Sequence, residues 1–476
     1  MKLLGFWKIS EQENLIFSEG EGMNPVTLFS LIATNPLSKR AIKKLLEKDG
    51  ETTRLDKLLR AYAYGEDVDG EFKILRRLID AGLKAFGGRE DELKEKLRDA
   101  YWRRGFASVL RGIADFGIRK PFVPGAPFLV VWDLTYACNL RCKHCYSTAG
   151  KPWKDELSTE EALKAVDVLA DAGVTALAFS GGEPLIRKDF FEIASYAAKR
   201  GMFVAVATNG TMITRDVAEK MKECGVGFVQ ISLDGKKETH EQFRGIRGIY
   251  DRVVEGIINA RDAGLITCIS TTATKVNYQD IPAVMDLAEE LGVEWFMLYN
   301  FIPTGRGSFE IDLTPEEKEE LLRELWRRLK ATGINFMSTA PYYARIAIQE
   351  ESEVIPTHFY NPKLEGRLRR LADFIGGCGC GRFYIAMKAN GDIEPCVFFP
   401  LKLANIRDFS NGSDFLRFWR ENDVLEKLRD KDRIEVCGKC RYRYVCGGCR
   451  ARAYAYFKDY LAPDPGCVVA ARLRGD

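Results

Sequence analysis

Cys138, Cys142 and Cys145 stand at spacing C-x3-C-x2-C within the stretch that runs from Tyr136 to Tyr146. Three thiolates on so short a loop can ligate three irons of a four-iron four-sulfur cube and leave the fourth iron open. An open iron is a place for a small molecule to bind, not only a store for an electron. Zinc wants four ligands and usually takes them from C-x2-C pairs, so the trio fits a cluster better than zinc or three unrelated thiols. A second field holds Cys378, Cys380, Cys396, Cys437, Cys440, Cys446, Cys449 and Cys467. Eight thiolates complete two fully ligated clusters, and full ligation suits electron transfer. The tandem C-x2-C pairs also admit a pair of zinc sites. Cys224 and Cys268, on a helix end and a strand, read as small buried hydrophobes.

The elements that must hold these thiols are legible as well. Residues 128–134, an apolar run directly before the trio, read as a strand, and so do 176–180, 203–207, 228–233, 267–272 and 295–299. Helices between them stop at Gly173, Gly201, Gly225, Gly264 and Gly292, where a left-handed cap is easiest. The first begins with a capping box, Ser158 and Glu161, and the last runs from Thr314-Pro315 to Gly333. Six such units at short intervals mean a parallel sheet. Ligands of α/β sheets bind at the carboxyl ends of strands, so the residues there matter most. They are Ser180-Gly181-Gly182-Glu183-Pro184, Thr208-Asn209-Gly210, Ser232 to Gly235 with Arg244 beyond, Thr271-Thr272, and Asn300 to Gly307. Asn390-Gly391 is a hairpin turn that brings Cys396 in on its second strand. Residues 1–120 read as helical; the last helix, 90–116, is amphipathic and basic, with Trp102, Phe106, Leu110 and Ile113 on its stripe. Three prolines in 121–127 mark a linker, giving three regions: 1–120, 121–333 and 334–476.

At 476 residues the chain exceeds one core. With 71 basic against 68 acidic residues it carries no nucleic-acid footprint. No apolar run is long enough for a transmembrane segment, and the N-terminus is charged too soon for a signal peptide. The thirteen cysteines therefore read as metal ligands in a reducing cytoplasm. The basic helix adds a peripheral place at a membrane surface as an alternative.

The cysteine trio followed by Tyr146, with Gly-Gly-Glu-Pro one unit later, resembles the signature of the radical S-adenosylmethionine (SAM) enzymes. The tail from Cys378 to Cys467 resembles their SPASM extension. The resemblance covers residues 128–476 and implies a partial (β/α)6 barrel, here with an all-helical N-terminal domain and a C-terminal iron–sulfur domain. It implies SAM and three 4Fe-4S clusters as cofactors, and a ferredoxin or flavodoxin as electron donor. SAM would be held by Tyr146, Gly181, Gly182, Glu183, Pro184, Asn209, Ser232 and Arg244, with no catalytic side chain beyond the cluster. Cys378, Cys380, Cys396 and Cys449 would hold one auxiliary cluster, and Cys437, Cys440, Cys446 and Cys467 the other. Two departures stand out. The Cys446–Cys449 gap is two residues where three is usual, and Cys378-Gly-Cys380 is tight enough to leave one of the pair spare. Val397 stands where the sulfatase-maturing branch has an aspartate, which disfavours that branch. The whole chain looks most like archaeal members. The expected activity is hydrogen abstraction from an unactivated carbon of a long lipid chain, in a groove walled by the basic helix. The alternatives are maturation of a peptide, porphyrin or metal cofactor, or a non-catalytic iron–sulfur or zinc protein.

Overall fold

The structure, a computed structural model, describes residues 35–50, 52–66, 71–86, 89–351 and 376–474. The helical expectation for residues 1–34 lies outside these. The chain divides into two compact units, with the boundary in sequence between Arg98 and Asp99.

In the first unit lie helices α1 (Pro36–Leu45), α2 (Arg54–Tyr64), α3 (Glu71–Phe86) and α4 (Glu90–Leu97). Between α1 and α2, β1 (Lys48–Asp49) pairs antiparallel with β2 (Thr52–Thr53), so this front is not purely helical. The turn uses Gly50 at φ +71°, a conformation glycine adopts freely.

The expected 90–116 helix is two helices. Asp99 caps a new one, α5 (Ala100–Phe116), by accepting the Tyr101 amide, and α5 belongs to the second unit. The second unit then alternates β3 (Leu129–Thr135), α6 (Thr159–Ala172), β4 (Ala176–Gly181), α7 (Phe190–Lys199), β5 (Phe203–Thr208), α8 (Arg215–Glu223) and β6 (Val226–Ser232). It continues with α9 (Lys237–Arg244), α10 (Tyr250–Asp262), β7 (Ile266–Ala273), α11 (Ile281–Glu290), β8 (Trp295–Asn300) and α12 (Pro315–Ala331). A seventh parallel strand, β9 (Asn335–Ser338), pairs with β8, beyond the six read from sequence. At four residues it is too short to announce itself by period. After α13 (Tyr343–Glu351), the tail returns to the sheet: β10 (Tyr384–Met387) lies parallel to β3 and turns antiparallel into β11 (Asp392–Glu394) and β12 (Ala404–Asn405). The ten strands run in the order β12-β11-β10-β3-β4-β5-β6-β7-β8-β9. Helices α14 (Gly412–Glu421), α15 (Asp423–Arg429), α16 (Arg450–Phe457) and α17 (Val468–Arg474) complete the chain.

The strands bury one face under the helices, with Trp132, Phe179, Val204, Val229, Ile269 and Phe296 fully covered. Each such side chain contributes about 1.5–3 kcal/mol. The opposite, inner face is half-buried along β5 and β8, which alternate strictly. It carries Ala178, Ala205, Ala207, Gln230, Met297 and Tyr299.

Helix α5 explains its own basic character. Arg104 donates to the carbonyls of Ala170 and Val174 at 3.0 and 3.3 Å and to that of Arg200 at 2.6 Å; Arg111 donates to Ala172 at 2.6 Å. These are orphan carbonyls at the ends of α6 and α7, satisfied by guanidinium groups. They precede β4 and β5, so α5 sits at the amino ends of the strands, away from the mouth. Leu110 and Ile113 are buried there. The expectation that the α5 stripe walls a groove at the mouth is therefore corrected: Arg104 and Arg111 cap helices, Leu110 and Ile113 are buried at the amino ends of the strands, and Trp102 stays exposed. No helix among the described residues is long and apolar enough to cross a membrane.

Candidate active site

The three-cysteine loop follows β3 and is pinned from several sides. Lys143 N–H donates to the Phe243 carbonyl at 3.0 Å, and Gly150 N–H to that of Tyr136 at 2.8 Å. Arg306 clamps it from the loop after β8: its Nε donates to the Cys142 carbonyl at 2.9 Å and its Nη1 to that of Ala149 at 2.8 Å. Gly305 makes the approach possible, since a Cβ there would lie 2.3 Å from the Tyr146 carbonyl oxygen. Cys142 is buried, and Cys138 and Cys145 are half-buried. Burial raises the Cys138 thiol to about 11, which a bound cation at the sulfur would reverse.

Beside this loop, Gly181 and Gly182 lie flat on its backbone. Gly181 has φ +119°, and a Cβ on Gly182 would meet the Ala137 oxygen at 2.1 Å. Glu183 is fully buried. It accepts from Thr208 Oγ1 and the Asn209 amide, both at 2.8 Å, and from the Leu185 amide at 3.2 Å. Even so, burial pushes its carboxyl up to about 7. Pro184 opens a short 3-10 turn behind it. Asn209 Nδ2 donates to Asn139 Oδ1 at 2.8 Å, tying the third strand end to the cysteine loop. Ser232 ends β6 in register with Ser270.

Arg244 is drawn elsewhere than to an open ligand position. Its Nη2 pairs with Asp234 Oδ2 at 2.6 Å, and its Nη1 lies 3.6 Å from Cys142 Sγ. Asp234 also accepts the Thr272 amide at 2.8 Å and faces His144 Nε2 at 3.6 Å. His144 stacks on Phe243 with ring centroids 4.0 Å apart, and burial drops its pKa to about 3, so it is neutral. Tyr146 donates to Asp133 Oδ1 at 2.7 Å and lies 3.1 Å from Ser180 Oγ. Lys388 reaches Asp133 and Glu394, each at 3.2 Å. Burial raises the Glu394 carboxyl to about 7. Phe398, just beyond Cys396, packs edge-on against Tyr146 at 5.0 Å. Sequence reasoning missed Asp133, Asp234, Lys388 and Glu394. A charged residue inside an apolar strand was the available signal for Asp133, because such a group must be paired.

In the tail the buried thiols of Cys378, Cys380 and Cys396 lie near enough to shift one another's protonation. Cys449 faces Cys378 and Cys396, and Tyr384 donates to Cys396 Sγ at 2.7 Å. Cys446 faces Cys467 and Cys437, and Cys437 faces Cys440. All but Cys440 are buried. Two sets of four thiols thus lie side by side, joined where Cys378 N–H donates to the Cys446 carbonyl at 3.0 Å. Among the described residues no three His, Cys, Asp or Glu side chains converge on a single-ion site.

Residues 132–288 match the Radical SAM superfamily. The chain is 38% identical over 353 residues to an AdoMet-dependent heme synthase of Methanosarcina barkeri, covering 72% of this chain and 97% of that protein. It is 30% identical over 348 residues to the mycofactocin maturase MftC of Mycolicibacterium smegmatis, covering 72% and 83%. In fold it is similar to Streptococcus suis SuiB bound to S-adenosylmethionine, with TM-score 0.58, 16% identity and 87% of each chain covered. The cysteine loop, the strand-end residues around it and these likenesses agree, and the chain belongs to the radical SAM superfamily as an enzyme with a SPASM C-terminal extension.

Proposed function

We propose that this enzyme modifies a side chain of a porphyrin by hydrogen abstraction. The observation that carries the reading is the identity with a heme synthase along 97% of that protein's length. Ala178, Ala205 and Ala207 keep the side chains of that part of the inner face small. The lipid reading rested on α5 as a groove wall, and α5 lies at the other end of the strands.

In this reading Cys138, Cys142 and Cys145 hold the cluster that binds SAM. When bound, cluster and SAM supply a one-electron cleavage that yields the 5'-deoxyadenosyl radical. Glu183 would accept from the amino group of SAM, and Gly181 and Gly182 would let the ligand meet bare backbone. Asn209, Ser232 and Tyr146 line the same rim, and Pro184 fixes the turn. Cys378, Cys380, Cys396 and Cys449 hold one auxiliary cluster, and Cys437, Cys440, Cys446 and Cys467 the other. A small electron-transfer protein supplies the reducing electron.

The test is an anaerobic assay of reconstituted protein with SAM, a reductant and an iron porphyrin carrying propionate side chains. The expected outcome is 5'-deoxyadenosine whose yield rises with the porphyrin, together with a porphyrin of lower mass. Deoxyadenosine formation indifferent to the porphyrin overturns the substrate class. Stimulation by a peptide in place of the porphyrin puts the maturase reading first.

A further inference from the structure

Lys431 precedes the Cys437 thiol set in sequence and lies against the other set in space. It is 1% exposed. Its ammonium donates to the Leu428 carbonyl at 2.9 Å and reaches that of Cys378 at 3.5 Å. The charged groups that bear on it most are the Cys378 and Cys380 thiols and the guanidiniums of Arg382 and Arg450; no carboxylate is among them. The acids beside it in sequence are engaged elsewhere. Asp430 pairs with Arg433 at 2.8 Å and Asp432 with Arg443 at 2.7 Å.

Other buried cations share the neighbourhood, among them Arg382, which donates to the Phe122 carbonyl at 2.9 Å. Arg429 stacks on Trp419 at 4.2 Å, and neither of its terminal nitrogens has a hydrogen-bond acceptor. Arg450 gives one terminal nitrogen to the Ala462 carbonyl at 2.7 Å, and its other has no acceptor. Asp464 is the buried acid close by. Its carboxylate takes the Cys449 amide at 2.7 Å and the Gly466 amide at 2.9 Å. Asp464 also faces Arg452 at 3.8 Å, and Glu426 acts on Arg429, whereas only carbonyls and thiols offer Lys431 a partner; a buried unpaired charge costs several kcal/mol. A four-iron cube held by four thiolates supplies the missing anion, since it is dianionic when oxidised and gains a further negative charge on reduction.

We propose that Lys431 is the counter-ion of the cluster held by Cys378, Cys380, Cys396 and Cys449, and that it favours the reduced state of that cluster. Resting on the porphyrin reading above, this makes that cluster the acceptor of the electron left when a substrate side chain is oxidised after hydrogen abstraction. Net charge and hydrogen bonding around the sulfurs set such potentials. Lys431 is a positioning residue here: it touches neither substrate nor SAM.

The experiment is an EPR-monitored redox titration of full-length reconstituted protein, comparing wild type with Lys431→Met, Lys431→Gln and Lys431→Arg. The SAM-binding cluster is recognised by the change of its signal when SAM is added, and the two auxiliary signals by their loss in Cys396→Ala and Cys467→Ala. Met and Gln are expected to keep wild-type iron and to lower the Cys396-dependent midpoint by about 59 mV, a tenfold change for one electron. Arg is expected to restore it. The SAM-cluster midpoint stays where it was. Wild-type iron with an unmoved midpoint overturns the proposal, as does loss of the cluster in all three variants, which makes the role structural. Wild-type protein that holds iron only in the three-cysteine loop instead sinks the reading of the tail, and Lys431 falls with it.

Discussion

The loop at Cys138–Cys145 and the tail thiols offer the same ligand atom in opposite electrostatic settings. Around the loop the buried cation Arg244 is matched at once by Asp234 at 2.6 Å, and the group left without a counter-charge is an acid, Glu183. Around the tail the buried group with no carboxylate beside it is a cation, Lys431. A fold that leaves a buried charge unanswered keeps it for something that arrives. On the function and the counter-ion proposed above, the loop would receive a cation, the amino group of SAM, and the tail an anion. Under those proposals two cysteine fields that look alike in sequence would serve different traffic, one to bind and cleave and the other to hold charge.

Removing loop thiols breaks this contrast most completely. Cys138→Ala, Cys142→Ala or Cys145→Ala is expected to abolish deoxyadenosine formation while about two thirds of the iron remains, the share of two clusters in three. Deoxyadenosine at wild-type yield from any of these variants dissolves the distinction. Next in size, Cys437→Ala or Cys467→Ala should lose about a third of the iron and leave substrate-free SAM cleavage intact. Zinc in place of the lost iron would show that the tail is a metal-ion module and no electron store.

A smaller effect probes the balanced pair. Arg244→Met removes a donor and a positive charge 3.6 Å from Cys142 Sγ and is expected to lower the SAM-cluster midpoint by about 59 mV, tenfold in the one-electron equilibrium. Asp234→Asn leaves the guanidinium uncompensated and should raise it. SAM affinity measured by equilibrium dialysis should change less than threefold in both. A large loss of affinity in Arg244→Met with an unmoved midpoint would return Arg244 to the SAM carboxylate.

How much of this was legible follows from what each residue needs locally. The glycines that end helices, the capping box at Ser158 and Glu161, and the strand periods are local signals, and the barrel follows from them. Gly181 and Gly182 were legible because only glycine can lie so close to another backbone. Asp234 was hidden, because Asp-Gly after a strand reads as a plain turn and its partners Arg244, His144 and Thr272 come from three other segments. Lys431 was hidden for the same reason, since nothing in Arg-Asp-Lys-Asp-Arg tells which charge turns inward. The basic face of α5 misled: its arginines read as a surface for anions, and they are spent on carbonyls at the ends of α6 and α7. Charge that caps a helix and charge that faces solvent have the same period.

The smallest predicted effect tests whether the loop really waits for a cation. Glu183 is held near neutrality by burial, at about 7, although three donors favour its charge. The folded-state value lies above the ordinary carboxylate range, so the empty site is protonated below pH 7 and ionised above it. An ammonium group binds the ionised form, so SAM affinity should fall as pH drops through 7 because the proton must leave first. Between pH 7.5 and 6.5 a single group at about 7 predicts roughly a threefold rise in Kd. Glu183→Gln cannot titrate and should bind more weakly at pH 7.5 with a flat profile, since the amide keeps the acceptor oxygen and loses the charge. The measurement is SAM binding by equilibrium dialysis on the anaerobic, cluster-loaded enzyme across that range. A profile equally steep in the Gln variant assigns the proton to another group. A flat wild-type profile means that the carboxylate is already ionised in the empty site, and the symmetry between Glu183 in the loop and Lys431 in the tail would then be lost.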